Sequence, residues 1–453
     1  MSALILTSVL GVVLLYLGLF NGKRVLAPLG VLGLLGAIAL FLLDKQYVNI
    51  AQFSNMLVFD PTSISFAIGL LAITALIFLF GVDYYANEEK NVAEQYALMA
   101  FSVTGALLMV SYTNLLSLFL GIEILSIPLY ILAGAKRTSL RSGEASFKYF
   151  LLGSFASAFL LMGIALIYGV VGSFGLSEVL AASATASSNI LFLLGCFFVM
   201  VGMTFKVAAV PFHFWSPDVY EGAPTLVTTF MATVVKMAAF AALYRFVTMS
   251  GMPPAMGKGL LGITVVTLLL GNITALRQSQ FKRLMAYSSI AHSGFLLMAI
   301  LSNSAGTPGI LFYYLFTYAL ATVGLFVLMT VVKRANNGDE HIRIFRGLFR
   351  TNPWLGLVAL LLLLSLAGIP LTAGFVAKYQ VFVLAIGAGH LALTAFAVLM
   401  ALVGIYYYAV VIRETFSPTD RTAALVISPV NLLLISLCGI AVVVLGVMPG
   451  WVL

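Results

Sequence analysis

The sequence predicts an all-α polytopic membrane protein of about 14 transmembrane helices, arranged around two inverted five-helix repeats with helices 7 and 12 broken. Three observations predict this class. Of 453 residues 62% are hydrophobic, and only 23 Lys plus Arg and 15 Asp plus Glu, 8% of the chain, carry fixed charge. A soluble domain carries about 25% charged residues, so a soluble enzyme, a disordered chain and a disulfide scaffold are excluded. Apolar runs then recur at lengths near the roughly 20 residues that a helix needs to cross a hydrocarbon core of about 30 Å. Finally, Lys and Arg accumulate in every second connection.

The runs come in order. Residues 2–20 have no basic n-region and no cleavage site, so they read as a span and not as a signal peptide. Lys23 and Arg24 separate them from 25–43, which Lys45 follows; Lys90 lies between 62–82 and 95–112. Span 114–134 precedes Lys136, Arg137, Arg141 and Lys148, which open 145–171. Next come 190–210 and 223–248, with Arg245 at a helix end, then Lys258 and 259–276. Arg277, Lys282 and Arg283 introduce 284–302; Lys333, Arg334, Arg343, Arg346 and Arg350 separate 308–332 from 354–386. Arg413 and Arg421 follow 388–412, and 426–447 ends the series.

Odd connections hold 17 Lys and Arg, even ones 3. This predicts odd connections in the cytoplasm and both termini outside. The net charge of +8 is thereby assigned to a membrane face and not to nucleic acid. Without a long hydrophilic segment, no soluble domain is left to hold a nucleotide or redox cluster, and Cys196 and Cys438, both in apolar runs, indicate neither a disulfide nor a metal. The expected units are an N-terminal three-helix segment at 1–94, repeats at 95–250 and 251–415, and a C-terminal helix at 416–453.

Three Lys remain inside spans, Lys206, Lys236 and Lys378, together with Glu123 and His292. A charge at the bilayer centre costs at least about 2.5 kcal/mol, so such residues face a protein interior or a wet path. Lys206 near Pro211 could snorkel, but Lys236 and Glu123 lie mid-span, where snorkelling fits poorly. His292 could serve a proton relay or bond Ser288 or Ser289 nearby. Burial and a movable carboxylate push a Lys in opposite directions, so a Lys–Glu couple can hold or release a proton. Glu123 is the expected modulator and Lys206 its expected partner.

Two spans carry breaks beside these lysines. Residues 202–225 contain Pro211, Pro217 and Pro224; residues 366–380 contain Gly368, Pro370 and Gly374. Proline removes an N–H and frees carbonyls, tolerated at membrane depth only where protein or water encloses them. The broken spans are five apart, as are those carrying Glu123 and His292, hence repeats over spans 4–8 and 9–13; an odd repeat length inverts the second copy.

With these features, FKVAAVPFHFWSPDVYEGAPT, TFMATVVKMAAFAAL and SLAGIPLTAGFVAKY resemble the antiporter-like subunits of respiratory complex I, over essentially the whole chain. Among the sister families L, M and N, the few residues after the last span argue against L and Lys378 against M, leaving the N family of NADH-quinone oxidoreductase. The chain lacks the wider set of His residues that some relatives carry on spans 10 and 11.

The resemblance implies a bacterial inner-membrane translocase subunit in which two half-channels meet at a mid-membrane line. Glu123 pairs with Lys206, Lys236 relays protons, and His292 and Lys378 serve the second half-channel. It also implies no cofactor on this chain, with FMN, iron–sulfur clusters and quinone on the rest of the complex. The partners it implies are subunit M, small membrane-arm subunits, the hydrophilic redox arm and lipid. A sodium/proton antiporter subunit and a pure scaffold are the alternatives.

Overall fold

The computed structural model describes residues 1–20, 23–43, 51–53, 55–86, 91–186, 188–249, 253–419 and 425–452. Lys45, Lys90 and Arg421 lie outside the described residues, as do the side chains of Lys23 and Arg24.

The chain runs α1 (Ser2–Gly18), α2 (Lys23–Leu43), a two-residue hairpin of Ala51–Gln52 with Leu57–Val58, then α3 (Pro61–Tyr84), α4 (Val92–Ser111), α5 (Leu115–Ala133) and α6 (Leu140–Val171). Next come α7 (Leu176–Ala186), α8 (Ile190–Lys206), α9 (Trp215–Gly222), α10 (Thr225–Phe230) and α11 (Lys236–Met249). The remaining helices are α12 (Pro254–Ala275), α13 (Phe281–Ser302), α14 (Thr307–Arg334), α15 (Leu348–Thr351), α16 (Pro353–Ala367), α17 (Ala373–Gly387), α18 (Leu391–Phe416) and α19 (Pro429–Val447).

Among the described residues, 11 helices are long and apolar enough to cross a membrane. α1 and α8 are shorter apolar helices, and α16 and α17 are the two halves of the twelfth span. Counted this way the expected fourteen crossings are present. Three local features were not expected. α7 occupies the connection between the sixth and seventh spans. α6 begins five residues before the anticipated 145, capped by the Ser139 side chain. The eighth span is not one α-helix, because Met231–Val235 forms a π turn between α10 and α11.

Hydrogen bonds between connections sort the two faces. On one face Leu57 bridges Tyr112 and Asn114 bridges Gly175. On the other, Gln280 bridges His341, the Gly347 N–H donates to Glu414 O, and Arg334 donates to Asp83 and Tyr84. Every such described bond joins two odd or two even connections, as the alternation of Lys and Arg requires.

Close backbone approach needs small residues where helices cross. A Cβ built on Gly163 of α6 would lie 2.6 Å from Gly195 O of α8. α13, α14 and α10–α11 form the buried centre, while α2, α6, α12 and α18 expose apolar faces at the rim.

Candidate functional site

The five intramembrane residues lie on five elements: Glu123 on α5, Lys206 at the end of α8, Lys236 at the start of α11, His292 on α13 and Lys378 on α17. The three lysines and His292 are 3–6% exposed, and Glu123 is half-buried.

The anticipated Glu123–Lys206 ion pair is not made. Lys206 Nζ donates to Ser126 Oγ at 2.6 Å and to the Tyr149 hydroxyl at 3.3 Å. Glu123 instead accepts from Ser157, and the Ser126 hydroxyl bonds back to Ile122 O. Ser126, one turn further along α5, is the residue that meets Lys206 of α8, while Glu123 is taken up by Ser157 of α6. A narrow crevice lined by Ser126, Tyr130, Ser157 and Lys206 runs between α5, α6 and α8. Tyr149 is fixed by stacking on Trp215 at 4.7 Å, and the Trp215 indole N–H caps Phe205 O at 3.0 Å.

α13 is the hub for the other residues. Lys236 Nζ donates to Ser289 Oγ at 2.5 Å, to Ser289 O and to Ser293 Oγ at 2.9 Å, beneath the Tyr318 ring. Ser293 in turn donates to Val207 O at 2.7 Å, in the break that follows Lys206. His292 does not bond Ser288 or Ser289. Its Nδ1 meets the Tyr314 hydroxyl at 2.7 Å and its Nε2 the Tyr408 hydroxyl at 3.2 Å, and Ser288 bonds Tyr408. Phe295, one turn further, lies 5.3 Å from Lys378 Nζ.

The breaks are built as their sequences require. After α8, Ala208 takes a left-handed φ of 56° and Val210–Pro211 is cis. In the twelfth span Gly368 has φ 81°, a conformation glycine adopts without a Cβ clash. Pro370 has no N–H, so Leu366 O loses its helical donor. Lys378 Nζ supplies the replacement, donating to Leu366 O at 2.9 Å and Ala367 O at 2.8 Å.

Serine and tyrosine hydroxyls both donate and accept, so they can bond a lysine in either protonation state. The ligands of Lys206 and Lys236 are mainly of this kind; those of Lys378 are carbonyls, which only accept. Cys196 and Cys438 are buried free thiols on α8 and α19, and no group of three potential metal ligands occurs among the described residues.

Other charged residues, counted from the sequence as connection charges, are part of the packed structure. Lys148 on α6 pairs with Glu144 at 2.7 Å and Asp218 of α9 at 2.6 Å, and Arg283 of α13 reaches Asp218 and Glu221 at 2.9 Å each. Burial pushes the Asp218 carboxyl up, but hydrogen bonds from Lys148 and Arg283 outweigh it and hold it below the usual carboxylate range. Arg245 is buried against Asp60 at 3.0 Å and Val110 O at 3.1 Å. Lys282, 2% exposed, donates to Glu221 O and Ala223 O. The basic Lys282–Arg283 pair was visible in the sequence, but nothing local marked one member as buried.

Residues 112–404 match the family model described as NADH:quinone oxidoreductase/Mrp antiporter, transmembrane. The chain is 41% identical to NADH-quinone oxidoreductase subunit N of Cytophaga hutchinsonii, over 92% of this chain and 91% of that one. With subunit N of Trichlorobacter lovleyi it shares 40% identity over 92% and 87%. A chain of respiratory complex I from Thermus thermophilus with bound aureothin superposes with TM-score 0.81 at 34% identity, over 99% and 97%. A chain of the Mrp complex from a Dietzia species shares the fold, with TM-score 0.86 at 18% identity, over 100% and 96%. With a family model spanning most of the fourteen-helix core and relatives this similar along nearly the whole chain, the protein belongs to the NADH:quinone oxidoreductase/Mrp antiporter transmembrane family, in its NADH-quinone oxidoreductase subunit N branch.

Proposed function

We propose that this chain moves protons in the membrane arm of an NADH:quinone oxidoreductase, driven by quinone reduction in partner subunits. The observation that carries the reading is the buried line of ionisable groups tied together through α13. Lys206 lies beside the break whose Val207 carbonyl accepts from Ser293; Ser293 and Ser289 bind Lys236; His292 follows, and Lys378 stands over Phe295. Glu123 modulates Lys206 from one turn before Ser126 on α5 rather than by direct contact. Lys236 relays protons, and His292 with Lys378 serves the exit half-channel.

Moving one charge against 100 mV takes about 2.3 kcal/mol, so the drive comes from outside this chain. FMN, iron–sulfur clusters and the quinone site belong to the partners in this reading. Those partners include subunit M, the small membrane-arm subunits and the redox arm. The odd connections face the cytoplasm and both termini the outer side of a bacterial inner membrane. The two five-helix units, 95–250 and 251–415, each supply one half-channel.

The test is proton uptake by inverted vesicles containing assembled complex. Lys236→Ala is expected to abolish pumping while assembly persists. Wild-type pumping in both Lys206→Ala and Lys236→Ala complexes overturns the relay. Co-purification separates the sodium/proton antiporter alternative: flavin and iron–sulfur subunits travelling with the chain exclude it.

A further inference from the structure

Lys282 is placed against the rule for its own helix. It sits in the first turn of α13, where the helix dipole disfavours a cation. It is nevertheless 2% exposed and donates to Glu221 O at 2.8 Å and Ala223 O at 2.7 Å, with the Glu340 carboxylate 3.6 Å away. The two carbonyls belong to the C-terminal end of α9, where a cation is favoured. Pro224 ends that helix and has no N–H to offer; the Tyr220 carbonyl is served by the Thr228 hydroxyl, and the next carbonyls depend on Lys282. Glu340, shared with Lys333 of α14, comes from the segment after α14.

Seven residues separate Lys282 from Ser289, and eleven separate it from Ser293, so all three share one stripe of α13. α13 is thus joined to the segment 207–223 by Ser293 on Val207 O at membrane depth and, about three turns away, by Lys282 on the α9 terminus beside the Arg283 pairs with Asp218 and Glu221. We propose that Lys282 is a positioning residue for the relay. Its buried ammonium holds the α9 end of the broken seventh span against α13, so that the serines binding Lys236 stay in register with the backbone beside Lys206.

This rests on the relay assignment above, and the experiment separates the two. Complexes with Lys282→Met, Lys282→Arg, Lys282→Gln and Lys236→Ala are purified, reconstituted in liposomes and measured for protons moved per electron, alongside amide exchange across 215–223. Misplacement by about 1 Å can cost up to about a hundredfold in rate, so Lys282→Met is expected to lose pumping about tenfold, with faster exchange across 215–223. Lys282→Arg, which can donate to both carbonyls, is expected to retain at least about half. Wild-type pumping in Lys282→Met, or equal loss in the Met and Arg variants, overturns the proposal. If the Met complex does not assemble, Lys282→Gln is read: intermediate pumping supports the proposal and wild-type pumping overturns it. Wild-type pumping by Lys236→Ala instead removes the relay itself.

Discussion

Lys378 has two separable duties, and one pair of substitutions tests both. Pro370 and the left-handed residues Gly368 and Leu371 open the twelfth span, and the ammonium closes it on Leu366 O and Ala367 O. Lys378→Met removes the donor and leaves two buried carbonyls unserved. At about 1–3 kcal/mol for each unsatisfied group, the loss is about 2–6 kcal/mol, toward the lower end if water enters the break. The Met variant is therefore expected to assemble poorly on native gels and to melt several degrees lower in detergent. Arginine offers donors to both carbonyls but keeps its proton at any physiological pH. Lys378→Arg is expected to restore assembly and thermal stability while dye-quench assays on inverted vesicles show pumping still lost. Unchanged stability in the Met variant refutes the structural duty. Wild-type pumping in the Arg variant refutes the proton-carrying one.

Three further substitutions follow from contacts described above. Gly368→Ala forces a side chain into a left-handed conformation, at about 1–2 kcal/mol, and its Cβ would lie 2.7 Å from Lys378 Cδ, so pumping should fall more than assembly in the same vesicles. Gly163→Ala places a Cβ 2.6 Å from the Gly195 carbonyl and is expected to cost about 1–3 kcal/mol by forcing α6 and α8 apart, read as a lower thermal midpoint. Arg245→Met leaves Asp60, a quarter exposed and still bonded by Ser63, without its 3.0 Å partner and is expected to cost about 1–3 kcal/mol, with Asp60→Asn added to recover part of the loss.

The spans were legible because an uninterrupted apolar run needs no partner to identify it, and because connection charges report the side on which they lie. The breaks were legible for a similar reason: proline and glycine act on their own backbone, as at Pro370 and Gly368. Partners were not legible. These helices are apolar all round, so periodicity does not reveal which face meets which neighbour. Ser126 rather than Glu123 meets Lys206, and Tyr314 with Tyr408, not the nearby serines, holds His292. Counting Lys282 by its neighbours in sequence put it in a connection, whereas tertiary packing buries it. The π turn before Lys236 has no composition signal, since Met231–Val235 is as apolar as any helical turn here.

That turn also bears on how the chain can change by insertion and deletion. A π turn accommodates one residue more than an α turn of the same rise. Removing any one of Met231–Val235 would let α10 run straight into α11 as a regular helix. The two halves would then keep nearly their present orientation, because the deletion removes only the residue that the wider turn had absorbed. Lys236 could then stay on Ser289 while Thr225–Phe230 kept its present neighbours. A one-residue deletion within α10 or α11 would turn the rest of the span by about 100°, whereas at Met231–Val235 it is absorbed, and the turn is therefore the point at which this span tolerates a change of length.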